Sequence, residues 1–339
     1  MRLAINGYGR IGRCVLRAAM ERDDCAALEF VALNELADAQ ALHYLTRYDS
    51  THGRFPGSVE LQGNRLELGV GRHKKSVSLL GEPQPSSLPW RELDVALVLE
   101  CSGQINTLQR AQAHLQAGAR AVLLSNPGET QIPAIVYGVN QRLLADQPAI
   151  ASAASCTSNA LVPVLHVLQR SFGIESGVIT TIHASMHDQP VIDAYHSDDL
   201  RKNRAASQSV IPVDTSLAAG IGRILPGLDG RFVAHALRVP VNNVSALNIT
   251  LNLNQATSAE QINQALYEAS VGELAGVLGY TTERLASCDF NHDTRSGIID
   301  ALQTQLCAGR TANLLVWFDN EWGFANRMLD LALHYNHLA

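Results

Sequence analysis

The segment that most constrains the fold is the start of the chain, where closely spaced glycines separate a short apolar run from a helical pattern. Apolar residues 3–5 precede a match to G-x-G-x-x-G, and residues 10–20 continue as a helix. In this context the glycines permit a tight turn, and the helix N-terminus attracts a pyrophosphate. The alternative is a strand–helix turn that binds no ligand. The residues predicted to bind a dinucleotide are Gly7, Gly9, Arg10, Ile11 and Gly12.

An acidic residue follows the second predicted strand. Residues 30–34 have the pattern of a strand, and Glu35 comes directly after them. A carboxylate about 20 residues beyond the glycines binds the adenosine ribose hydroxyls and repels the 2′-phosphate of NADP. The sequence therefore predicts NAD as the cofactor, with Glu35 at the ribose. The alternative for Glu35 is a solvated loop carboxylate.

Strand-like and helical runs alternate through the first half of the chain. This pattern predicts βαβ units and a parallel sheet, with a hairpin inserted at residues 56–80. Residues 247–253 instead alternate between apolar and polar, as an antiparallel strand does. We therefore predict an α/β protein with a Rossmann-type parallel-sheet domain and an α+β catalytic domain with a mainly antiparallel sheet. The predicted domains are 1–155, completed by a C-terminal helix at 321–339, and 156–320.

Composition and charge argue against several classes of partner. The formal net charge is −6, so neither nucleic acid nor an anionic membrane is an expected partner. No run approaches the roughly 18 apolar residues of a membrane span, and residues 1–7 do not form the apolar core of a signal peptide. A cytoplasmic protein is expected. The 6 cysteines are scattered without a Cys-x-x-Cys pair, which predicts reduced thiols and no metal site.

One cysteine stands where a helix is expected to begin. Small polar residues lead through Cys156 into the apolar run 160–168. The partial positive charge of a helix N-terminus favours a thiolate, which is the reactive form of cysteine. Pro163 is expected to kink this helix or to delay its start. The alternative for Cys156 is a buried structural thiol.

A histidine lies in the predicted strand 178–186, where even positions are mostly apolar and odd positions mostly polar. This pattern predicts that His183 points away from the core face. Metal binding together with His187 is excluded, because four residues along a strand span about 13 Å. Alone, His183 is typical of a hydrogen-bonded structural residue. As the partner of Cys156, it would remove the proton of a hemithioacetal hydroxyl as hydride leaves, and later activate water or another acyl acceptor.

Five motifs, in order along the chain, resemble the glyceraldehyde-3-phosphate dehydrogenase superfamily. They are Asn6-Gly7-Tyr8-Gly9-Arg10-Ile11-Gly12-Arg13, Ser155-Cys156-Thr157-Ser158-Asn159, Thr181-Ile182-His183, Arg238-Val239-Pro240 and Trp317-Phe318-Asp319-Asn320-Glu321. The resemblance implies an NAD-dependent aldehyde dehydrogenase that acts through a cysteine thioester on a phosphorylated aldose. Cys156 would be the nucleophile and His183 its activating base. A homotetramer is also implied.

The same resemblance implies roles for further residues. Those expected to contact NAD are Ser102, Ser125 and, at the nicotinamide, Asn320. Those expected to contact the substrate are Ser155, Thr157, Lys202, Thr215, Ser216 and Arg238.

Residues 183–196, 205–215 and 289–293 most resemble the branch of this superfamily that oxidises D-erythrose 4-phosphate to 4-phospho-D-erythronate. In that branch water takes the acyl group, and the product enters pyridoxine biosynthesis. Met186 and Asp188 stand where the triose enzyme usually has threonines that help to hold phosphate, so the phosphate is expected elsewhere, on Arg238, Thr215 and Lys202. Two alternatives stay open, a phosphorylating glyceraldehyde-3-phosphate dehydrogenase and a non-catalytic NAD-binding regulator.

Overall fold

The computed structural model describes residues 1–195 and 197–338. Contacts between Cα atoms divide the chain into two compact units, Met1–Ser155 with Ala325–Ala339, and Cys156–Phe324. The second boundary lies inside the C-terminal helix, whereas the sequence predicts it at residue 320. Ala339, the last residue of the predicted C-terminal helix, lies outside the described residues. Within the described ranges, none of the helices has the length and apolar character needed to cross a membrane.

The first unit contains one large sheet, helices and a separate two-stranded sheet formed by its third and fourth strands. Its elements are β1 (Arg2–Asn6), α1 (Arg10–Glu21), β2 (Glu29–Asn34), α2 (Ala39–Arg47), β3 (Tyr48–Asp49), β4 (Gly53–Arg54), β5 (Ser58–Gln62), β6 (Arg65–Val70), β7 (His73–Leu80), β8 (Leu97–Glu100), α3 (Leu108–Gln116), β9 (Ala121–Leu124) and β10 (Ile150–Ser152). The strand order is β10-β9-β8-β1-β2-β7-β6-β5. Pairing is parallel from β10 to β7 and antiparallel from β7 to β5. The predicted parallel, Rossmann-type sheet is therefore confirmed.

The hairpin predicted in residues 56–80 is also present. β5 and β6 pair antiparallel around a turn in which Gly63 has φ +59°, a conformation that glycine adopts without steric cost. A third strand, β7, was not predicted. It pairs with β6 on one side and with β2 on the other, and so joins the hairpin to the edge of the parallel sheet.

The C-terminal helix α7 (Trp322–Leu338) belongs to the first unit from Ala325 onward. Arg22, directly after α1, donates hydrogen bonds to Asn326 Oδ1 at 3.1 Å and to Asp330 Oδ1 at 2.6 Å. Farther along the helix, the Tyr335 hydroxyl donates to Pro148 O at 3.3 Å. These bonds attach the end of the chain to the parallel-sheet unit.

The second unit contains a mixed, mainly antiparallel sheet. Its elements are α4 (Cys156–Phe172), β11 (Ile174–Ala184), β12 (Ile211–Val213), α5 (Leu217–Ile224), β13 (Phe232–Val239), β14 (Ser245–Leu253), α6 (Ala259–Val271), β15 (Leu278–Thr281), β16 (Gly297–Cys307), β17 (Thr311–Phe318) and the start of α7. The strand order is β12-β13-β11-β14-β17-β16-β15. Among the described strands of this second sheet, only the pairs β11–β13 and β15–β16 are parallel. The alternating strand at 247–253 is confirmed as part of β14, which pairs antiparallel on both sides.

The buried face of β11 is opposite to the one predicted. Ile179, Thr181 and His183 are buried, whereas Val178 is 47% exposed. The pattern misled because the even positions face outward although they are mostly apolar. The odd positions are buried although they are mostly polar, and α4 packs against this sheet. The polar residues on this buried face include the site histidine.

Pro163 does not delay the start of α4. The helix runs without a break from Cys156 to Phe172 with Pro163 inside it. Ala160, Leu161 and Leu165 are each 0% exposed. We infer that burial of this apolar segment offsets the backbone hydrogen bond that proline cannot make, a loss of about 3 kcal/mol.

Candidate active site

Cys156 and His183 lie close together in the second unit. Cys156 is the first residue of α4, and His183 is the last residue but one of β11. The distance from Cys156 Sγ to His183 Nε2 is 3.6 Å. This places a nucleophile within hydrogen-bonding reach of a base, which is the arrangement needed for covalent catalysis.

A backbone carbonyl determines which ring nitrogen of His183 carries the proton. Nδ1 lies 2.8 Å from Ala184 O, and because a carbonyl can only accept, Nδ1 must donate. Nε2 is therefore unprotonated and faces the sulfur. Burial, together with the charge of Arg238, lowers the pKa of His183 to about 4. At neutral pH the imidazole is uncharged and can accept a proton at Nε2.

Burial raises the pKa of the Cys156 thiol, although the side chain is partly exposed. Hydrogen bonding by Thr157, whose Oγ1 lies 3.9 Å from Sγ, and the charge of Arg238 oppose this effect without cancelling it. The backbone N–H groups at the start of α4 also lower the pKa of Cys156, in the expected direction, but loss of solvation outweighs all of these contacts. The resting pair is a neutral thiol beside a neutral imidazole.

Arg238 places a positive charge next to this pair. It lies on β13 directly opposite His183 on β11. Its Nη1 is 3.4 Å from Ala184 O and 3.3 Å from His183 Nδ1. Because Nδ1 is protonated, Arg238 donates to the carbonyl. An anionic group on a substrate would meet this guanidinium close to the sulfur.

Lys202, another residue predicted to bind substrate, is engaged with an acid. It lies in the short 3-10 helix Leu200–Asn203, and its Nζ is 3.6 Å from Asp188 Oδ2. The charge of Asp188 also acts on Arg238 and His183. The charge of Glu321 acts on His183 as well, so the charged groups around the Cys–His pair include the cations Arg238 and Lys202 and the carboxylates Asp188 and Glu321.

Three other predicted substrate residues lie at the ends of elements. Thr215 and Ser216 are exposed at the start of α5, and Thr215 Oγ1 accepts a hydrogen bond from Leu217 N at 3.2 Å. In the part of the chain that the structure describes, neither bonds to the Cys–His pair. Ser155 is partly exposed and immediately precedes α4.

Asn320 is held by a serine that the sequence did not single out. The hydroxyl of Ser245 donates to Asn320 Oδ1 at 2.8 Å and accepts from Ala184 N at 3.0 Å. Ser245 is 1% exposed. One buried hydroxyl therefore joins the end of the histidine strand to the predicted nicotinamide residue, and directs the amino group of Asn320 away from itself.

Asp319 holds the turn on which Asn320 sits. Its Oδ1 accepts from Glu321 N at 2.9 Å and Trp322 N at 2.8 Å, and its Oδ2 accepts from His292 N at 2.8 Å. An Asp just before a helix is a recognised N-cap signal, so the sequence could have identified Asp319.

Backbone strain lies beside the same turn. Val244, the residue before Ser245, has φ +65°, and His292 has φ +69°. Such conformations are costly for residues other than glycine, above all for a β-branched one, and are retained where surrounding contacts enforce them.

No sequence signal identified Ser245, because a serine that opens a strand has no distinctive pattern.

The glycine motif has the geometry of a dinucleotide cradle in the first unit. Gly7 has φ +87°, and a Cβ there would lie 2.4 Å from the backbone of Ser102. A Cβ on Gly12 would lie 2.3 Å from Gly7 O, whereas one on Gly9 would meet nothing within 4 Å. Gly9 precedes α1, whose first turn contains no acidic residue and has no side-chain cap. The N–H groups around Ile11 can therefore meet a pyrophosphate.

Glu35 lies beside this motif. Its Oε2 accepts from Tyr8 N at 2.9 Å and its Oε1 accepts from Leu36 N at 2.8 Å. The carboxylate is thereby fixed at the end of β2, where a ribose diol would be bound. The side chain of Arg10 forms an ion pair with Asp49. Its predicted contact with the cofactor would therefore come from the backbone at the start of α1.

A fully buried carboxylate supports the carboxyl ends of β1 and β8. Glu100 Oε2 accepts from Asn6 Nδ2 at 2.6 Å and lies 3.0 Å from His114 Nε2. Trp90 Nε1, which can only donate, bonds to His114 Nδ1 at 2.9 Å. His114 Nε2 must therefore carry the proton and donate to Glu100.

The two predicted cofactor serines are attached to Glu100. Ser102 N donates to Glu100 Oε1 at 2.8 Å, and Ser125 N donates to Glu100 O at 2.9 Å. Both serines thus lie at the carboxyl edge of the parallel sheet. Nucleotides bind at this edge in open α/β sheets, so the residues present fit the group that the glycine motif predicts.

Two family models match the chain. The model described as glyceraldehyde 3-phosphate dehydrogenase, NAD binding domain, matches residues 1–108, and that described as glyceraldehyde 3-phosphate dehydrogenase, C-terminal domain, matches residues 155–320. Together the matched ranges take in most of the 339 residues. They contain the glycine motif in the first range and the Cys–His pair in the second.

Proposed function

The chain belongs to the glyceraldehyde-3-phosphate dehydrogenase family, and from this premise we propose that it oxidises D-erythrose 4-phosphate to 4-phospho-D-erythronate. Membership of the family makes it an NAD-dependent oxidoreductase with NAD as its cofactor. The four-carbon substrate, the thioester and the transfer of the acyl group to water are the proposed part. The observation that carries the chemistry is the 3.6 Å approach of Cys156 Sγ to His183 Nε2.

The first step joins the sulfur to the aldehyde. Because both groups rest uncharged, the thiolate fraction at neutral pH is small, and His183 Nε2 takes the thiol proton as Sγ attacks C1. General-base assistance of this kind contributes about 10²- to 10⁴-fold. The aldehyde oxygen is protonated to the hemithioacetal hydroxyl, and His183 returns to its neutral form.

The second step is the oxidation. NAD, when bound, accepts the hydride that leaves C1. His183 Nε2 takes the proton of the hemithioacetal hydroxyl, the C1–O bond becomes a carbonyl, and a thioester is left on Cys156. The imidazolium of His183 then releases this proton to solvent, so that Nε2 is free to accept again in the next step. The Nδ1–H bond to Ala184 O keeps the accepting nitrogen directed at the reacting atoms.

The third step releases the acid. Water attacks the thioester carbonyl while His183 removes a proton from it, and the C–S bond breaks to give 4-phosphoerythronate and the thiol of Cys156. The low pKa of His183, about 4, keeps the imidazole in its proton-accepting form throughout the neutral range.

Cationic residues near the pair suit an anionic substrate. Arg238 and Lys202 are the proposed phosphate partners, together with Thr215 and Ser216, and Ser155 and Thr157 are proposed to contact the aldehyde end. Asn320 is proposed to contact the nicotinamide. A homotetramer, a cytoplasmic location and a role in pyridoxine biosynthesis remain predictions from the family branch.

The test is NADH formation with D-erythrose 4-phosphate and D-glyceraldehyde 3-phosphate, each with and without inorganic phosphate. We expect kcat/KM to be about 10-fold or more higher for the tetrose, a difference of roughly 1.4 kcal/mol, and no phosphate requirement. Preference for the triose with a strong phosphate requirement would assign the phosphorylating reaction instead. No turnover with either aldehyde would favour a regulator, and the Cys156→Ser protein provides the inactive control.

A further inference from the structure

Asp188 is an acid in a site built for an anion. It is held in a short hydrogen-bonded turn just after β11, where Gln189 N donates to Met186 O at 3.1 Å. The turn is attached to the end of β13, because Ser185 N donates to Val241 O at 2.9 Å and Ser185 Oγ donates to Val239 O at 3.0 Å. These bonds place Asp188 on the side of the sheet end where His183 and Arg238 lie.

The two oxygens of Asp188 have different surroundings. Oδ2 lies 3.6 Å from Lys202 Nζ. Oδ1 is buried and has no hydrogen-bond partner among the described residues. A buried carboxylate oxygen without a donor is costly, because it has lost water without gaining a replacement. The Asp188 side chain as a whole is 40% exposed, so a substrate group can approach this carboxylate, and the described residues supply no donor to Oδ1.

The chemistry of that donor is restricted. A carboxylate can only accept hydrogen bonds, so a phosphate dianion beside it would be repelled. The phosphate of the substrate is better placed on Arg238, which lies in the same charged cluster. A hydroxyl is neutral and donates, and a short aldose phosphate carries hydroxyls between its aldehyde and its phosphate.

We propose that Asp188 accepts a hydrogen bond from the C3 hydroxyl of the tetrose phosphate and so selects four-carbon over three-carbon substrates. This inference rests on the proposed function. C1 would be bound to Cys156, and C3 is the carbon at which the tetrose phosphate carries a hydroxyl. In a triose 3-phosphate the same carbon bears the phosphate ester and has no hydroxyl to donate.

The experiment is a cycle of two substrates and two proteins. The substrates are D-erythrose 4-phosphate and its 3-deoxy analogue, and the proteins are the parent chain and Asp188→Ala. In the parent, the analogue is expected to lose about 10- to 100-fold in kcat/KM, the range of a hydrogen bond to a charged group. In Asp188→Ala the two substrates should differ by less than about 3-fold, because the acceptor is gone.

Asp188→Asn is the second variant, since it keeps the shape of the side chain and one acceptor oxygen. It should show an intermediate loss with the natural tetrose and little loss with the analogue. Asp198→Asn is the matched control, because Asp198 is an exposed acid in the same region and its removal changes net charge equally. This control should leave the substrate ratio unchanged.

The outcomes separate the two proposals. If the parent oxidises the tetrose efficiently but the substrate ratio is the same in parent, Asp188→Ala and Asp188→Asn, the role of Asp188 is overturned and the proposed function stands. If the parent prefers the triose, the proposed function is wrong, and the role of Asp188 in selecting a tetrose is wrong as well. A large ratio in the parent that collapses in Asp188→Ala and becomes smaller in Asp188→Asn supports the inference.

Discussion

At the residue scale, the candidate site depends on the hydroxyl of Ser245 as well as on the sulfur of Cys156 and the imidazole of His183. Ser245 bonds to both Ala184 N and Asn320 Oδ1. Removing the hydroxyl would leave a backbone donor and an amide acceptor unpaired in a buried place. Each such loss costs about 1–3 kcal/mol. We therefore regard Ser245 as a positioning residue that links the base to the cofactor side of the site.

Ser245→Ala is expected to weaken NAD binding while leaving the nucleophile itself intact. The dissociation constant of NAD, measured by calorimetry, should rise about 5-fold or more as Asn320 loses its fixed orientation, corresponding to roughly 1 kcal/mol. The rate of Cys156 alkylation by iodoacetamide should change less than about twofold. Ser270→Ala removes a hydroxyl from the surface of α6 and is the control. Unchanged NAD affinity in Ser245→Ala would remove Ser245 from the site.

Individual residues also show how far the sequence could predict the site. Cys156 and His183 could be singled out because both lie in motifs that resemble the family, whereas the helix start and the strand pattern alone left the role of each residue open. The direction of the Cys156 pKa could not, since it depends on atoms brought around the sulfur by folding. Ser245 and Asp188 acquire their roles from partners distant in sequence, and no local pattern encodes those contacts.

At the scale of elements, the turn between β1 and α1 separates a structural glycine from a functional one. Gly7 needs its positive φ and its close approach to Ser102, so it serves the fold. Gly9 has open space in front of it, and we predict that the pyrophosphate lies there. Both match the same sequence pattern, and only the structure distinguishes them.

We expect alanine at Gly7 to lower stability and alanine at Gly9 to lower NAD affinity. Gly7→Ala is expected to lower the free energy of unfolding by about 2 kcal/mol or more, from backbone strain and a clash. Gly9→Ala should change stability by less than about 1 kcal/mol but reduce NAD affinity about 10-fold or more, because its methyl group occupies the space for the pyrophosphate. Denaturant unfolding and NAD titration check both, with Gly227→Ala as a control that also faces open space. Wild-type NAD affinity in Gly9→Ala would contradict this assignment.

Elements also show where periodicity fails. The parallel sheet, the hairpin and β14 followed their patterns, because each strand pairs in the way that its alternation indicates. β11 did not, since polar residues of the site occupy its buried face and apolar residues such as Val178 its exposed one. The alternation of β11 therefore predicts the wrong buried face.

At the scale of the whole molecule, a buried neutral histidine makes stability depend on pH. The pKa of His183 is about 4 in the folded chain, against about 6.5 for an unfolded histidine. Between these values the unfolded chain holds more protons, so stability rises with pH. The contribution of His183 is complete above about pH 6.5 and is lost as the pH falls toward 4.

The free energy of unfolding is accordingly expected to fall by about 2 kcal/mol from pH 7 to pH 5 through His183 alone. His183→Asn should lose this part of the pH dependence, and His187→Asn, which alters an exposed histidine nearby, should retain it. Urea unfolding at one fixed protein concentration measures the difference. The same pH dependence in the parent and in His183→Asn would show that the imidazole is not held neutral.

The central claim is that Cys156 carries the substrate as a thioester. The most direct measurement is to mix the enzyme with NAD and D-erythrose 4-phosphate, quench in acid within milliseconds, and determine the mass of the intact protein and its peptides. We predict a phosphoerythronyl adduct on Cys156 that forms more slowly in His183→Asn, and a loss of at least about 10³-fold in turnover for Cys156→Ser. Wild-type turnover in Cys156→Ser, or an adduct on any other residue, would contradict the account.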